Sequence, residues 1–206
     1  MKTLMKLLAI CLMSGLAIGF AQAKPEAADD PQAVIKQTID RMLEMLEAHR
    51  SEWEKSPGKI YGVVEKEVVP KFDFERISRY VLGRYWRRAT PEQRKAFTDE
   101  FKNLLIRTYA TSILNYNGQK IKYLSVRQGK NKDRVTVMTE VREVGGPRVP
   151  INYRMHRSHG KWRVYDVVID GVSLVSNYRK NFANKIRRTR LDGLIAQLKQ
   201  KNTKGM

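Results

Sequence analysis

The amino-acid sequence predicts an α+β domain in which a curved, four-stranded antiparallel sheet wraps around a long helix, with further helices before and after. Three observations carry this prediction. Thr90-Pro91-Glu92-Gln93 is a capping box with proline at the first helical position. Phe97, Phe101, Leu104, Leu105, Tyr109, Ile113 and Tyr116 then follow along one stripe, so a long helix with a wide apolar face starts there. From Ile121 the apolar period changes to two over four segments joined by short turns, the pattern of a meander. The last segment is apolar on both faces: Trp162, Val164 and Val168 point one way, Tyr165, Val167 and Ile169 the other. Helices, then strands, then a closing helix make an α+β fold.

The chain opens with Lys2 and Lys6, an apolar run from Leu7 to Phe20 and the small-x-small triplet Ala21-Gln22-Ala23. That is the layout of a secretory leader removed after residue 23. The run is shorter than the ~20 apolar residues of a membrane span, and Ile10 precedes Cys11 where a lipid-anchor signal needs a small residue. Cleavage leaves residues 24–206 as one domain, a helical part over about 31–88 packed on an α+β part over about 89–201. It also removes the only cysteine, so the fold depends on its apolar core rather than on disulfides.

Asp30 before Pro31 starts a helix with Val34, Ile35, Thr38, Ile39, Met42, Leu43, Leu46 and Trp53 on one stripe, ended by Ser56-Pro57-Gly58. A short helix with Ile60, Val63, Val64 and Val68 stops at Pro70, and another over Phe74–Leu82 is broken by Gly83. Strand one carries Ile121, Tyr123 and Val126; strand two Val135, Val137, Thr139 and Val141; strand three Val149, Ile151, Tyr153 and Met155. The turns are Gly129 to Asp133, Gly145-Gly146-Pro147 and Ser158-His159-Gly160. Strands two and three have one apolar face each, so helices cover that face alone. Gly171 allows a sharp change of direction, after which Val172, Leu174, Val175, Tyr178 and Phe182 begin the closing helix, continued by Leu191, Leu194, Ile195 and Leu198. A curved sheet around an aromatic helix makes a cone. Either the closing helix simply caps a filled core, or strand and helix line a cavity.

The formal charge is +19, and +17 without Lys2 and Lys6. In the cytosol such a charge points to nucleic acid. An exported chain meets little of it, so no nucleic-acid partner is expected. It meets anionic lipid head groups instead, each nearby basic residue adding ~1 kcal/mol of attraction. A solvated basic surface that resists aggregation fits the same number. His49, His156 and His159 are scattered, and no histidine or acid spacing suits a metal. Ser173 lacks a G-x-S-x-G elbow. Asp166 is the one candidate general base, because an acid facing an apolar interior has its pKa raised by desolvation. Alternatively an arginine, such as Arg84, Arg87, Arg88 or Arg107, pairs with it and fixes the helix–sheet angle.

Two blocks together carry a resemblance. VVPKFDFERISRYVLGRYWRRATPEQRKAF with LLIRTYATSILNYNGQKI, then VPINYRMHRSHGKWRVYDVVIDGVSLVSNYRKNF with LDGLIAQL, closely resemble the signature of the MlaC-like family of periplasmic phospholipid-binding proteins, also called toluene-tolerance auxiliary proteins. The likeness covers about Val34 to Lys201. It departs at Thr189-Arg190, before Leu191, where a glycine is expected. The resemblance implies a cone similar to nuclear transport factor 2 with added helices, a periplasmic location, no catalysed reaction and no cofactor. It implies a carrier that holds the acyl chains of a glycerophospholipid as cargo. The carrier shuttles lipid between an outer-membrane lipoprotein-porin complex and an inner-membrane ABC transporter with a lipid-binding ring, which maintains outer-membrane lipid asymmetry.

Two acyl chains expose roughly 30 methylenes at about 0.8 kcal/mol each, so such a carrier must enclose nearly all of them. The expected lining is Phe97, Phe101, Leu105, Tyr109, Val137, Ile151, Tyr153, Val168, Val172 and Val175, with Arg79, Arg84 and Arg107 near the mouth facing lipid phosphates. Two readings compete with it: an enzyme on the same cone using Asp166 as base, and a basic adaptor with a solid core.

Overall fold

The computed structural model describes residues 30–142 and 146–203. The expected leader over 1–23, and Gly145 of the second turn, lie outside the described residues. Asp30 caps α1 (Pro31–Lys55), its carboxylate accepting from the Gln32 N–H at 2.9 Å. After α2 (Lys59–Glu67) the chain tightens into a 3-10 turn at Val69–Lys71, because Pro70 has no N–H with which to continue an α-helix. Asp73 caps α3 (Phe74–Leu82), and Gly83, at φ +54°, separates it from the short α4 (Arg84–Arg88). α5 (Pro91–Tyr109) opens with both bonds of the capping box: the Gln93 N–H donates to Thr90 Oγ1 at 3.2 Å, and the Thr90 N–H to Gln93 Oε1 at 3.1 Å. It runs on as a 3-10 helix over Ala110–Asn115.

The sheet is a meander of β1 (Lys120–Gln128), β2 (Arg134–Arg142), β3 (Arg148–Ser158), β4 (Lys161–Ile169) and β5 (Val172–Ser173), in sequence order and antiparallel throughout. Two of its loops are two-residue turns with both φ angles positive, His159-Gly160 and Asp170-Gly171, the conformation whose twist matches a hairpin. The second turn corrects the expectation for Val172. Instead of opening the helix, Val172 and Ser173 pair with Ile169 and Val168 as a fifth strand, and α6 (Leu174–Thr203) begins one residue later. Bulges between Tyr123 and Val126 and beside Arg154 bend the sheet.

α6 is kinked at Arg190, whose backbone sits at φ 61°, ψ 179°. That region is essentially reserved for glycine, and it lies where the family signature leads one to expect one. Arg190→Gly should therefore relieve strain and stabilise the fold by ~1 kcal/mol net of the extra freedom glycine gives the unfolded chain. Thermal unfolding should show a rise of about 2–4 °C; an unchanged or lower midpoint would count against strain at the kink.

Apolar packing is divided among three clusters rather than gathered in one. Phe97, Phe101, Leu104, Phe182, Ile186 and Leu194 join α5 to α6. Met42, Leu46, Trp53, Ile60, Val64 and Ile106 join α1, α2 and α5. Ile35, Val135, Val137, Met155, Trp162 and Val164 join α1 to the sheet. A domain ordinarily has one contiguous core. Three clusters around a centre leave room between them.

Candidate functional site

That room consists of two apolar chambers between the sheet and the helices. The inner chamber, about 420 Å³, lies between Phe101, Leu105, Ile106 and Tyr109 of α5 and Ile151, Tyr153, Val167 and Ile169 of the sheet, with Leu174, Val175 and Tyr178 of α6 at its side. The outer chamber, about 490 Å³, lies between Ile35, Ile39, Met42 and Leu43 of α1 and Ile121, Val141, Ile151 and Tyr153 of the sheet. Val68, Phe72, Ile113, Ile151 and Tyr153 line both. Each volume falls within the roughly 300–1,000 Å³ of small-molecule sites. A larger groove, about 780 Å³, runs between α1 and Trp162-Arg163, but charges of both signs (Asp40, Arg41, Glu44, Glu67, Lys71) line it. It does not suit an apolar guest.

Of the ten residues expected to line a cavity, Phe101, Leu105, Tyr109, Ile151, Tyr153 and Val175 do so. The other four line neither chamber. Phe97 lies inside the aromatic cluster with Phe101 and Phe182, ring centroids 5.5 and 5.9 Å away. Val137 is buried against α1. Val168 points to the side of β4 opposite Val167 and Ile169, by the strand alternation. Val172 is 57 % exposed on β5. The three arginines expected at the mouth are elsewhere as well: Arg79 is exposed on α3, Arg84 lies over the Tyr85 ring at 5.1 Å, and Arg107 over the Tyr61 ring at 5.3 Å. Lys71 is a cation that does line the outer chamber. Sequence reasoning missed the shared wall of Val68, Phe72 and Ile113, and the contribution of α1. Their signal was present in the apolar stripes, but stripes do not say which residues face a void.

Asp166 pairs with an arginine, though with none of those expected. Its Oδ2 accepts from Arg154 Nη1 at 3.0 Å and from the Ser173 hydroxyl at 2.7 Å, and its Oδ1 from the Val175 N–H at 3.1 Å. Ser173 in turn accepts from the Ser176 N–H at 3.1 Å. Carboxylate and serine together cap the start of α6, where a negative charge also meets the positive end of the helix dipole. The network ties α6 to β4 and thereby sets one wall of the inner chamber. A second buried tie joins His156 Nε2 to Asp73 Oδ2 at 2.7 Å. Asp73 also caps α3 by accepting from the Arg76 N–H at 2.9 Å. The Val69–Asp73 wall is thus held to the sheet.

Burial among these apolar surfaces pushes the Tyr153 phenol up to about 12, with the Thr139 hydroxyl pulling the other way; burial, and then its neighbour Tyr109, also raise Tyr178. A phenol whose pKa is raised in the folded state keeps its stabilising share below the unfolded value near 10 and loses it as pH climbs toward the folded one. Stability should accordingly fall between about pH 10 and pH 12. Urea midpoints measured across that range should fall less steeply for Tyr153→Phe than for the parent; parallel curves would refute the assignment.

A family model described as MlaC protein matches residues 36–200. The chain is 29 % identical over 163 residues, 79 % of its length and 75 % of the relative's, to the toluene tolerance protein ttg2D of Pseudomonas putida. It is 26 % identical over 177 residues, 84 % of its length and 83 % of the relative's, to the intermembrane phospholipid transport system binding protein MlaC of Haemophilus influenzae. A solved phospholipid-binding protein from Ralstonia solanacearum, in complex with a phospholipid, superposes with a TM-score of 0.76 at 34 % identity, over 85 % of this chain and 98 % of that one. With its sequence matched along most of its length and its fold shared with that relative, the chain belongs to the MlaC protein family.

Proposed function

We propose that this chain is a periplasmic carrier that holds a glycerophospholipid, with its leader removed and residues 24–206 forming one lipid-binding domain. The observation that carries this reading is the pair of apolar chambers with a common wall, in a family whose solved relative binds a phospholipid. The forked shape suits a diacyl lipid, one tail in each chamber, with the head group at the open side of the outer chamber near Lys71, Tyr116 and Gln119. Enclosing some 30 methylenes offsets about 24 kcal/mol of hydration cost, so a lipid of this kind exchanges slowly with water and needs docking partners to leave. In this reading the partners are an outer-membrane lipoprotein-porin complex and the lipid-binding ring of an inner-membrane ABC transporter. The chain moves cargo between them without reacting it. The engagement of Asp166 with Arg154, Ser173 and the α6 N-terminus supports a binding rather than a catalytic role.

Native mass spectrometry of the purified mature chain tests the proposal. Adducts with masses of glycerophospholipid, recovered on solvent extraction, are expected; protein free of lipid after expression in a Gram-negative periplasm would overturn it.

A further inference from the structure

The outer face of β1 and β2 is exposed at Lys120, Lys122, Arg127, Arg134 and Arg142 and carries an unusual charge; on β3 the same face is covered where buried His156 meets Asp73. Register places Lys120, Lys122 and Arg127 of β1 on one face with Arg134, Glu140 and Arg142 of β2 and Arg148 and Arg154 of β3, opposite the buried Val135 and Val137. Glu140 is matched to Arg148 at 3.7 Å, and Asp166 to Arg154 at 3.0 Å. Among the described residues, no acid lies within ion-pair distance of Lys120, Lys122, Arg127, Arg134 or Arg142. α1 contrasts with this: Lys36, Arg41 and Arg50 each have an acid one turn on, Asp40, Glu44 and Glu54. A surface that is basic only to stay soluble has no reason to separate its charges in this way. Gatekeeping against strand addition explains cations on the edge strand, but Arg134 and Arg142 stand on an internal one.

We infer that this face docks on an anionic phospholipid bilayer. The cations spread over a broad face and line none of the cavities described above, which suits a field of phosphates better than a protein groove. The bulge in β1 interrupts the edge ladder and disfavours an added strand, and Leu124 within it is 41 % exposed, an apolar side chain available to the head-group region. Ile121 and Val141, which line the outer chamber, alternate with Lys120, Lys122 and Arg142 and so point to the opposite face of the sheet. A docked chain therefore keeps the chambers on the side of the sheet away from the membrane. The docking does not rest on the carrier reading.

Flotation of the full mature chain with vesicles tests it. The chain should float with phosphatidylcholine vesicles containing about one-fifth phosphatidylglycerol, and not with phosphatidylcholine alone. The triple variant Lys122→Ala, Arg127→Ala, Arg134→Ala should lower partitioning about fivefold per residue and about a hundredfold in all, with its melting temperature and retained lipid unchanged. The triple variant Lys36→Ala, Arg41→Ala, Lys55→Ala removes as many cations from α1 and should lower it far less. Equal losses in the two variants would overturn the proposal, as would a parent chain that ignores anionic vesicles at low salt, the result expected if an acidic protein were the partner. An empty protein that still floats would sink the carrier reading and leave the docking face standing.

Discussion

Ile151→Trp should strip most of the bound phospholipid from a protein that is otherwise correctly folded. Ile151 lines both chambers, so an indole there grows into existing space instead of displacing packed neighbours. It would exclude about four methylenes of cargo, each worth ~0.8 kcal/mol, a loss of ~3 kcal/mol or about a hundredfold in affinity. Strand propensity favours the change, and the melting temperature of the lipid-free protein should stay within a few degrees of the parent. Phospholipid phosphate per mole of purified protein measures the outcome. A folded variant that retains its full complement would show that the tails lie elsewhere. Val172→Glu supplies the control: at an exposed position on β5 a charge costs little, and lipid content should not change.

Removing the Asp166 carboxylate should have the largest effect on stability. The side chain is 4 % exposed and makes three hydrogen bonds, two of them to groups that start α6. Asp166→Ala forfeits a helix cap worth about 1 kcal/mol and leaves the Ser173 hydroxyl and Val175 N–H without their acceptor. Arg154 is 46 % exposed and can return to water, so its share is small. The sum is ~3 kcal/mol, a fall of roughly 10 °C in melting temperature for a chain of this size. Arg154→Ala should cost below 1 kcal/mol. Near-equal losses from the two single variants would mean that the ion pair, and not the cap, carries the stability.

These two sites show what was and was not legible beforehand. The long capped helix, the meander and the doubly covered β4 followed from period and punctuation, because each is a local property of the chain. The pairing of Asp166 was not. Counting back from the His159-Gly160 turn sets Arg154 opposite Tyr165, and only the bulge moves it one residue to face Asp166. Phe97 and Phe101 share one stripe of α5, yet Phe97 packs within the aromatic cluster while Phe101 also borders the void. A helical stripe is wide enough to serve both, and nothing in its spacing divides it. Nothing in the spacing of Arg79, Arg84 and Arg107 ties them to the chambers, whereas Lys71 is set on the chamber wall by the turn around Pro70.

Two segments that border the chambers, Val69–Lys71 and Ala110–Asn115, are 3-10 turns. Such turns hold their backbone with fewer and poorer hydrogen bonds than the strands they face, so they open at a lower free energy than the sheet does. The seam of the container is thus its softest part, and a guest as long as an acyl tail can thread in by local breathing while the meander stays intact. Occupancy then works as an internal splint: the filled protein should protect the amides of those two turns from solvent exchange far more than it protects the strands.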